Sequence, residues 1–287
     1  MNDPRPRNPS TTASTDAAAS DGLRGFDMTG KVVIVTGGAG LLGRGYVRTL
    51  TAAGAHVVST DIRPLTDSDP PDDVERHTLD VTDPDAVAGM VDAVAARHGR
   101  IDGLVNNASL DPKFDVGTAG EHTTAFEDYP LDRWRRTLSV DLDGAFLCCR
   151  AVGKVMHARG SGSIVNVSSV YGHVAPDQRL YVDPDRPDAP PLYKPADYCV
   201  AKAGVAQLTR YLAAYWAGTG IRVNTLTLAG VHANQSEGFR ERFGERLPMG
   251  RMAEQGEYDA AVLFLLSEAS GFMTGSDLRL DGGWTAW

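Results

Sequence analysis

The chain has 287 residues, 42% hydrophobic and 23% charged, enough apolar material for a sizeable core. A formal net charge of −9 argues against a nucleic-acid binder, which needs a basic face, but leaves room for a small anionic substrate on a local arginine cluster. Three cysteines are too few for a disulfide framework or a zinc site, and no run of about 18 apolar residues exists to span a membrane. The start lacks the apolar stretch of a secretory signal, so a reducing cytoplasm is expected.

Residues 1–24 are rich in Pro, Ser, Thr, Ala and Asp without apolar periodicity and read as a disordered tail. One domain is expected over 25–287. Val32–Val35 suits a buried parallel strand; a glycine-rich turn and a helix from about Arg44 to Ala53 follow, with Gly54 as its C-cap. Val57–Thr60 is the next strand, closing on Asp61. Thr78–Val81 reads as a third. Asp83 is placed to cap a helix over 84–98, where Val87, Val91 and Val94 share a face. The alternation continues with strands at Ile101–Val105, Ser163–Val167, Val223–Leu226 and Leu278–Leu280, and with helices at Leu131–His157, Asp197–Ala217 and Glu254–Ser267. Strand–helix alternation predicts an α/β fold: a single-domain, Rossmann-type, doubly wound parallel sheet with helices on both faces. The Pro- and Asp-rich stretch 173–197 breaks the rhythm and reads as a long inserted loop, a feature usually functional or disordered.

Between the first strand and first helix lies Thr36-Gly-Gly-Ala-Gly-Leu-Leu-Gly43, in which Gly37, Gly40 and Gly43 follow G-x-x-G-x-x-G. Glycines there allow a tight turn and close backbone approach to a pyrophosphate at a helix N-terminus. Asp61 ends the second strand 18 residues after Gly43. A carboxylate there accepts from adenosine ribose hydroxyls and repels a 2′-phosphate, so NAD is expected over NADP, with Arg63 able to soften that preference. Asp80 and Val81 are placed to meet the adenine edge, unless Asp80 serves as a helix cap.

Tyr198-Cys-Val-Ala-Lys202 opens a helix, and i, i+4 spacing puts phenol and ammonium on one face. The cation favours the phenolate, which predicts a tyrosine pKa drawn toward neutrality and usable acid–base chemistry. Ser168-Ser169 and Asn106-Asn107-Ala108 end two strands on the edge where the glycine loop lies. Each alone reads equally well as a strand-end turn; together they converge on one crevice.

With these pieces in order, residues 27–287 resemble the short-chain dehydrogenase/reductase family: TGGAGLLG, Asp61, Asn106-Asn107-Ala108, IVNVSS at 164–169, YCVAK at 198–202, RVN at 222–224 and MTGSDLRLDGG at 273–283. The resemblance implies a nicotinamide cofactor, a Tyr198 proton relay, a serine orienting the reacting oxygen, and Lys202 on the nicotinamide ribose. It also implies a homodimer or homotetramer. By position Ser169, followed by Val-Tyr-Gly, matches the family's serine rather than Ser168. Leu41, Leu42, Ile62, Asn107, Ala108, Gly230 and Val231 fall at cofactor-facing positions. Four departures stand out. The glycine spacing is that of the longer sugar-epimerase branch. Asp141 takes the place of the tetrad's helical asparagine, where it either balances the charge of Lys202 or is simply solvated. Ala229-Gly230 replaces Pro-Gly. Ser169 and Tyr198 are 29 residues apart, because of the insert.

His173, Asp177, Gln178, Arg179, Tyr181 and Tyr193 of the insert, with His232, Asn234, Gln235, Arg240, Arg242, Arg246 and Arg251, predict a polar pocket for a hydroxyl-rich or phosphorylated molecule. The reaction expected is interconversion of a secondary alcohol and a ketone on a small sugar- or cyclitol-like molecule, as in bacterial sugar biosynthesis. An epimerase or dehydratase with tightly held NAD, or a catalytically silent cofactor-binding regulator, are the alternatives.

Overall fold

The computed structural model describes residues 21–63, 74–111, 123–182, 188 and 190–287. Seven strands form one parallel sheet: β1 (Val32–Thr36), β2 (His56–Asp61), β3 (Glu75–Thr78), β4 (Gly103–Asn106), β5 (Gly162–Ser169), β6 (Ile221–Leu228) and β7 (Asp277–Leu280). Their order is β3-β2-β1-β4-β5-β6-β7. This is the predicted doubly wound architecture. The helices are α1 (Asp21–Arg24), α2 (Gly43–Ala52), α3 (Pro84–His98), α4 (Leu131–Leu138), α5 (Gly144–Arg159), α6 (Ala196–Tyr215), α7 (Glu237–Glu245) and α8 (Asp259–Leu266).

Strand side chains alternate between two cores. Ile34, Val58, Leu104, Ile164 and Val223 pack with Val91, Val152 and Leu212 of α3, α5 and α6. Val33, Val35, Val57, Val105, Val165 and Leu226 pack with Tyr46, Leu50, Val262 and Leu265 of α2 and α8. Burial on both faces is why the central strands read as unbroken apolar runs. The chain leaves β1 for β2 on one side and returns to β4 on the other, so a crevice opens at the carboxyl ends of β1 and β4.

Several elements differ from expectation. Asp21–Arg24 forms a helical turn, so the predicted tail is shorter on its described side, and residues 1–20 lie outside the described residues. The third strand is Glu75–Thr78 rather than Thr78–Val81; as an edge strand of sequence ERHT it carries no apolar signal. The long helix from Leu131 is broken by a π turn over Ser139–Asp143 before α5 begins. The predicted last helix opens as a 3-10 turn at Gln255–Tyr258. Helix α7 was not anticipated; Ser236 caps it by accepting from the Phe239 N–H at 3.3 Å, and Phe239 and Phe243 form its buried face. Asp83 caps α3 as expected. Among the described residues no helix is long and apolar enough to cross a membrane.

Candidate active site

The glycine turn is shaped by contacts that no side chain could share. Gly37 has φ +65°, and a Cβ on it would lie 2.9 Å from the Cα of Ala108. On Gly43 a Cβ would lie 2.1 Å from the Gly37 carbonyl oxygen, and on Gly38 2.1 Å from Ser59 Oγ of β2. The space at Gly38 is thus set by a side chain of β2, a constraint visible only once that strand packs beside the loop. Helix α2 starts at Gly43 with no side-chain cap and no acidic residue in its first turn, so its positive end is open to an anion. Leu42 packs toward the core, whereas Leu41 is exposed at the lip. This cradle fits a dinucleotide pyrophosphate.

Asn107 ties the loop to β4. Its Nδ2 donates to the carbonyls of Thr36 (3.0 Å) and Gly37 (3.1 Å), while the N–H groups of Asn107 and Ala108 donate to Thr36 Oγ1. Asn106 points inward instead, donating to Asn166 Oδ1 at 2.8 Å. Asp61 is buried; its Oδ2 accepts from the Ala39 N–H at 3.1 Å and its Oδ1 from the Arg63 N–H at 3.1 Å. The Arg63 guanidinium folds back onto Asp61 and donates to the Ala39 carbonyl at 2.9 Å. Ile62 is exposed beside it, and Val81 is buried. Asp80 accepts from the N–H and hydroxyl of Thr82, forming a strand-end turn, and the helix cap is Asp83. Gly230 lies against Phe243 and Met252, which leave no room for a Cβ, and Val231 bridges to Ala253. The Ala229 N–H donates to the Leu280 carbonyl at 3.4 Å, a bond that proline at this position would forbid. That residue therefore extends the β6–β7 ladder by one bond.

At the carboxyl end of β5 the two serines separate. Ser168 Oγ donates to the Lys202 carbonyl at 2.9 Å, fixing α6 to the sheet. Ser169 lies close enough to the Tyr198 phenol to bear on its acidity, and its Oγ accepts from the Tyr171 N–H at 3.2 Å. Tyr198 and Lys202 are both buried on the first turns of α6, with Lys202 Nζ 5.6 Å from the Tyr198 ring centroid. Asp141 is not solvated. It is 2% exposed, inside the π turn, with Oδ2 3.3 Å from Lys202 Nζ. Its Oδ1 accepts from the Leu110 N–H at 2.7 Å, and the Ser109 hydroxyl makes a short bond to Oδ2. A π turn is a frequent way to aim one helical side chain inward.

These surroundings change the expected acidity. Burial pushes the Tyr198 phenol up, the Asp111 and Asp141 carboxylates add to that, and the Ser169 hydroxyl opposes it. The anticipated drop toward neutrality is therefore not a property of the protein alone: Lys202 is paired with Asp141, and its charge is shared.

The insert supplies a further cation. Lys194 is buried, with Nζ 4.0 Å from the Tyr198 ring centroid and 2.8 Å from Asp111 Oδ1. Gln178 clamps the Lys194 backbone through two 3.0 Å bonds, one from its amide and one to its carbonyl. No motif marks this lysine; only the chain's return across the tyrosine does. Tyr171, Tyr181, Phe239, Phe243 and Trp284 form an aromatic cluster behind Tyr198, with the Tyr181 and Tyr171 hydroxyls 3.0 Å apart. Tyr193 lies half-buried beside Lys194, while residues 183–187 and 189 lie outside the described residues.

The anticipated arginine wall is engaged within the protein. Arg246 pairs with Asp177, Arg251 with Glu257, Arg240 with His232, and Arg242 donates to the Leu180 carbonyl. Gln235 bonds the Val231 carbonyl and the Ala233 N–H, and His173 meets Thr227 and Asp277 on the sheet. Each of these guanidinium groups has a partner within the chain, and the buried Nε of Arg240 and of Arg242 still lacks an acceptor among the described residues.

Comparison with known proteins agrees with this geometry. Residues 31–181 match the family model for short chain dehydrogenase, and residues 190–285 match that for Enoyl-(Acyl carrier protein) reductase. The chain is 34% identical over 275 residues to cis-4-hydroxycyclohexanecarboxylate dehydrogenase of Sinomonas cyclohexanicum, covering 89% of this chain and 97% of that protein. It is 34% identical to D-threitol dehydrogenase of Mycolicibacterium smegmatis, covering 91% and 95%. Among solved structures, a short chain dehydrogenase from Leptospira borgpetersenii with bound NAD+ superposes with a TM-score of 0.79 at 26% identity, covering 98% of this chain and 100% of that one. A gluconate 5-dehydrogenase from Burkholderia cenocepacia in complex with NADP and tartrate gives 0.76 at 28% identity, covering 91% and 98%.

Proposed function

The chain belongs to the short-chain dehydrogenase/reductase family of NAD(P)-dependent enzymes, and on that premise we propose that it is an NAD-dependent dehydrogenase interconverting a secondary alcohol and a ketone on a polar, polyol- or cyclitol-like small molecule. The observation that carries this reading is the convergence of Ser169, Tyr198 and Lys202 at the end of β5, beside the crevice bounded by the glycine loop. When bound, the dinucleotide supplies a two-electron hydride acceptor at its nicotinamide. Gly37, Gly40 and Gly43 would hold its phosphates, Asp61 its adenosine ribose and Lys202 its nicotinamide ribose. In the oxidation direction Tyr198 as phenolate takes the hydroxyl proton, and Ser169 donates to the same oxygen. Asp141 orients Lys202.

The preference for NAD rests on Asp61, whose buried carboxylate opposes a second negative group. Arg63 is bound back to that carboxylate, so its charge is largely neutralised there. Assembly as a homodimer or homotetramer in the cytoplasm belongs to the same reading. It is supported by the exposed Phe146, Tyr211 and Tyr215 on α5 and α6 and by three free cysteines.

A second reading of the substrate is favoured by Lys194. A buried ammonium 4.0 Å from the Tyr198 ring centroid puts a positive charge beside the reacting phenol and suits a substrate that carries its own carboxylate. The relative that oxidises a hydroxycyclohexanecarboxylate is consistent with it. The epimerase alternative keeps only its glycine spacing, and the intact Tyr198–Lys202 pair argues against a silent regulator.

The test is NADH formation across a panel of polyols, cyclitols and hydroxycyclohexanecarboxylates, with Tyr198→Phe alongside. Turnover with NAD, reduced about a hundredfold or more in Tyr198→Phe with NAD binding kept, is the expected result. No turnover with any member, or an unchanged Tyr198→Phe, refutes the dehydrogenase. Equal turnover with NADP refutes the cofactor preference. Lys194→Met raises KM for the carboxylates alone if the second reading holds.

A further inference from the structure

Far from Tyr198, the amino-terminal edge of the sheet gathers three imidazoles around one carboxylate. His56 opens β2, Glu75 opens β3, and His98 ends α3, which has returned the chain to that edge. Glu75 Oε2 lies 2.8 Å from His98 Nε2 and 3.4 Å from His56 Nε2, and Oε1 lies 2.8 Å from His77 Nε2. The rings of His56 and His98 lie 4.2 Å apart between centroids. Among the described residues, Arg97 also faces the carboxylate, its Nε 3.8 Å from Oε2, on a largely exposed side chain.

We propose that His56, Glu75 and His98 form a binding site for a divalent transition metal, zinc in the first instance. The ligand atoms of these three residues all lie within 4.8 Å of one another. In a tetrahedral zinc site with bonds of about 2.0–2.1 Å, neighbouring donor atoms stand roughly 3.3–3.4 Å apart. His56 and Glu75 already have that separation. His98 has to withdraw by about half an ångström to reach it, a side-chain adjustment. Two imidazole nitrogens and one carboxylate oxygen are a known zinc donor set, and they suit cobalt and nickel too. Of the three, the His56 side chain is the most exposed. His77, bonded to the other oxygen, then orients the ligating carboxylate. The site ties the short polar edge strand β3 to β2 and to the end of α3, so its effect is on stability and not on hydride transfer.

The test uses the untagged full chain, stripped with EDTA and titrated with zinc chloride by calorimetry. One zinc per chain is expected, with a melting temperature that rises with zinc concentration. Binding is lost in His98→Gln and in Glu75→Gln, weakened about ten- to a hundredfold in His77→Gln, and unchanged in His157→Gln on the exposed face of α5. Melting in EDTA identifies any variant that fails to fold; His77→Gln and His56→Gln then decide. Cobalt substitution should give a tetrahedral nitrogen–oxygen spectrum. Absence of saturable zinc binding, equal affinity in His98→Gln, or a thiolate charge-transfer band from cobalt would overturn the site.

Discussion

Replacing Asp141 tests how the buried charge pair sets the chemistry of Tyr198. The carboxylate lies 3.3 Å from Lys202 Nζ, and both side chains are almost wholly out of solvent. At an effective dielectric of 20 the gross attraction is about 5 kcal/mol, and removing one partner of such a pair costs about 3–5 kcal/mol because the other charge stays buried. Asp141→Ala removes the charge and also the acceptor for the Leu110 N–H. A fall in melting temperature of roughly 6–20 °C is expected, measured calorimetrically. Asp141→Asn keeps that acceptor, so its loss is smaller, about 1–2 kcal/mol for exchanging charged for neutral hydrogen bonds. The two variants then separate stability from acidity. Asp141 raises the Tyr198 phenol by like-charge repulsion, so its neutralisation stabilises the phenolate and lowers the pKa. The pH at which kcat/KM for alcohol oxidation is half-maximal should fall in Asp141→Asn, followed through NADH absorbance. A midpoint that stays put or moves up refutes the coupling between Asp141 and the tyrosine. A melting temperature within about 2 °C of wild type in Asp141→Ala refutes the buried pair.

Gly43→Ala sets a methyl against the Gly37 carbonyl at 2.1 Å and the Gly38 Cα at 2.8 Å, backbone atoms that cannot step aside. NAD affinity is expected to drop about tenfold or more and stability by about 1–3 kcal/mol; Gly89→Ala, which meets nothing within 4 Å in the middle of α3, should instead gain about 0.5–1 kcal/mol in the same melts. Glu75 governs part of the acid limb. Its carboxyl is pushed up by burial but brought down more strongly by His77, His98, His56 and Arg97, from 4.5 to about 2. A depressed folded-state pKa contributes stability that is present above about pH 4.5 and lost as pH falls toward 2. In EDTA, the stability gap between wild type and Glu75→Gln should close across that window by up to about 3 kcal/mol in urea melts; a constant gap contradicts the assignment.

The order of strands and helices and the doubly wound class were legible in the chain because both depend on local patterning. Apolar runs mark strands buried on two faces, and Asp83 and Gly54 punctuate their helices. That the glycine loop, Asp61, Ser169, Tyr198 and Lys202 gather at one edge of the sheet was legible too, because the carboxyl ends of parallel strands lie side by side. Strand β3 was placed three residues late and helix α7 was not anticipated, since an edge strand of polar residues and a short helix buried through two phenylalanines leave weak periodicity. Whether a charged side chain is exposed or engaged depends on neighbours distant in sequence, and there only the tertiary structure decides. It turns Asp141 inward onto Lys202, ties the arginines of the 232–251 segment to partners within the chain, and carries Lys194 back over Tyr198. It also brings His56, Glu75 and His98 to one point from two strands and a helix end. Charge–charge and metal–ligand contacts act over a few ångströms in space, and 42 residues of chain separate His56 from His98, so no local pattern records their meeting.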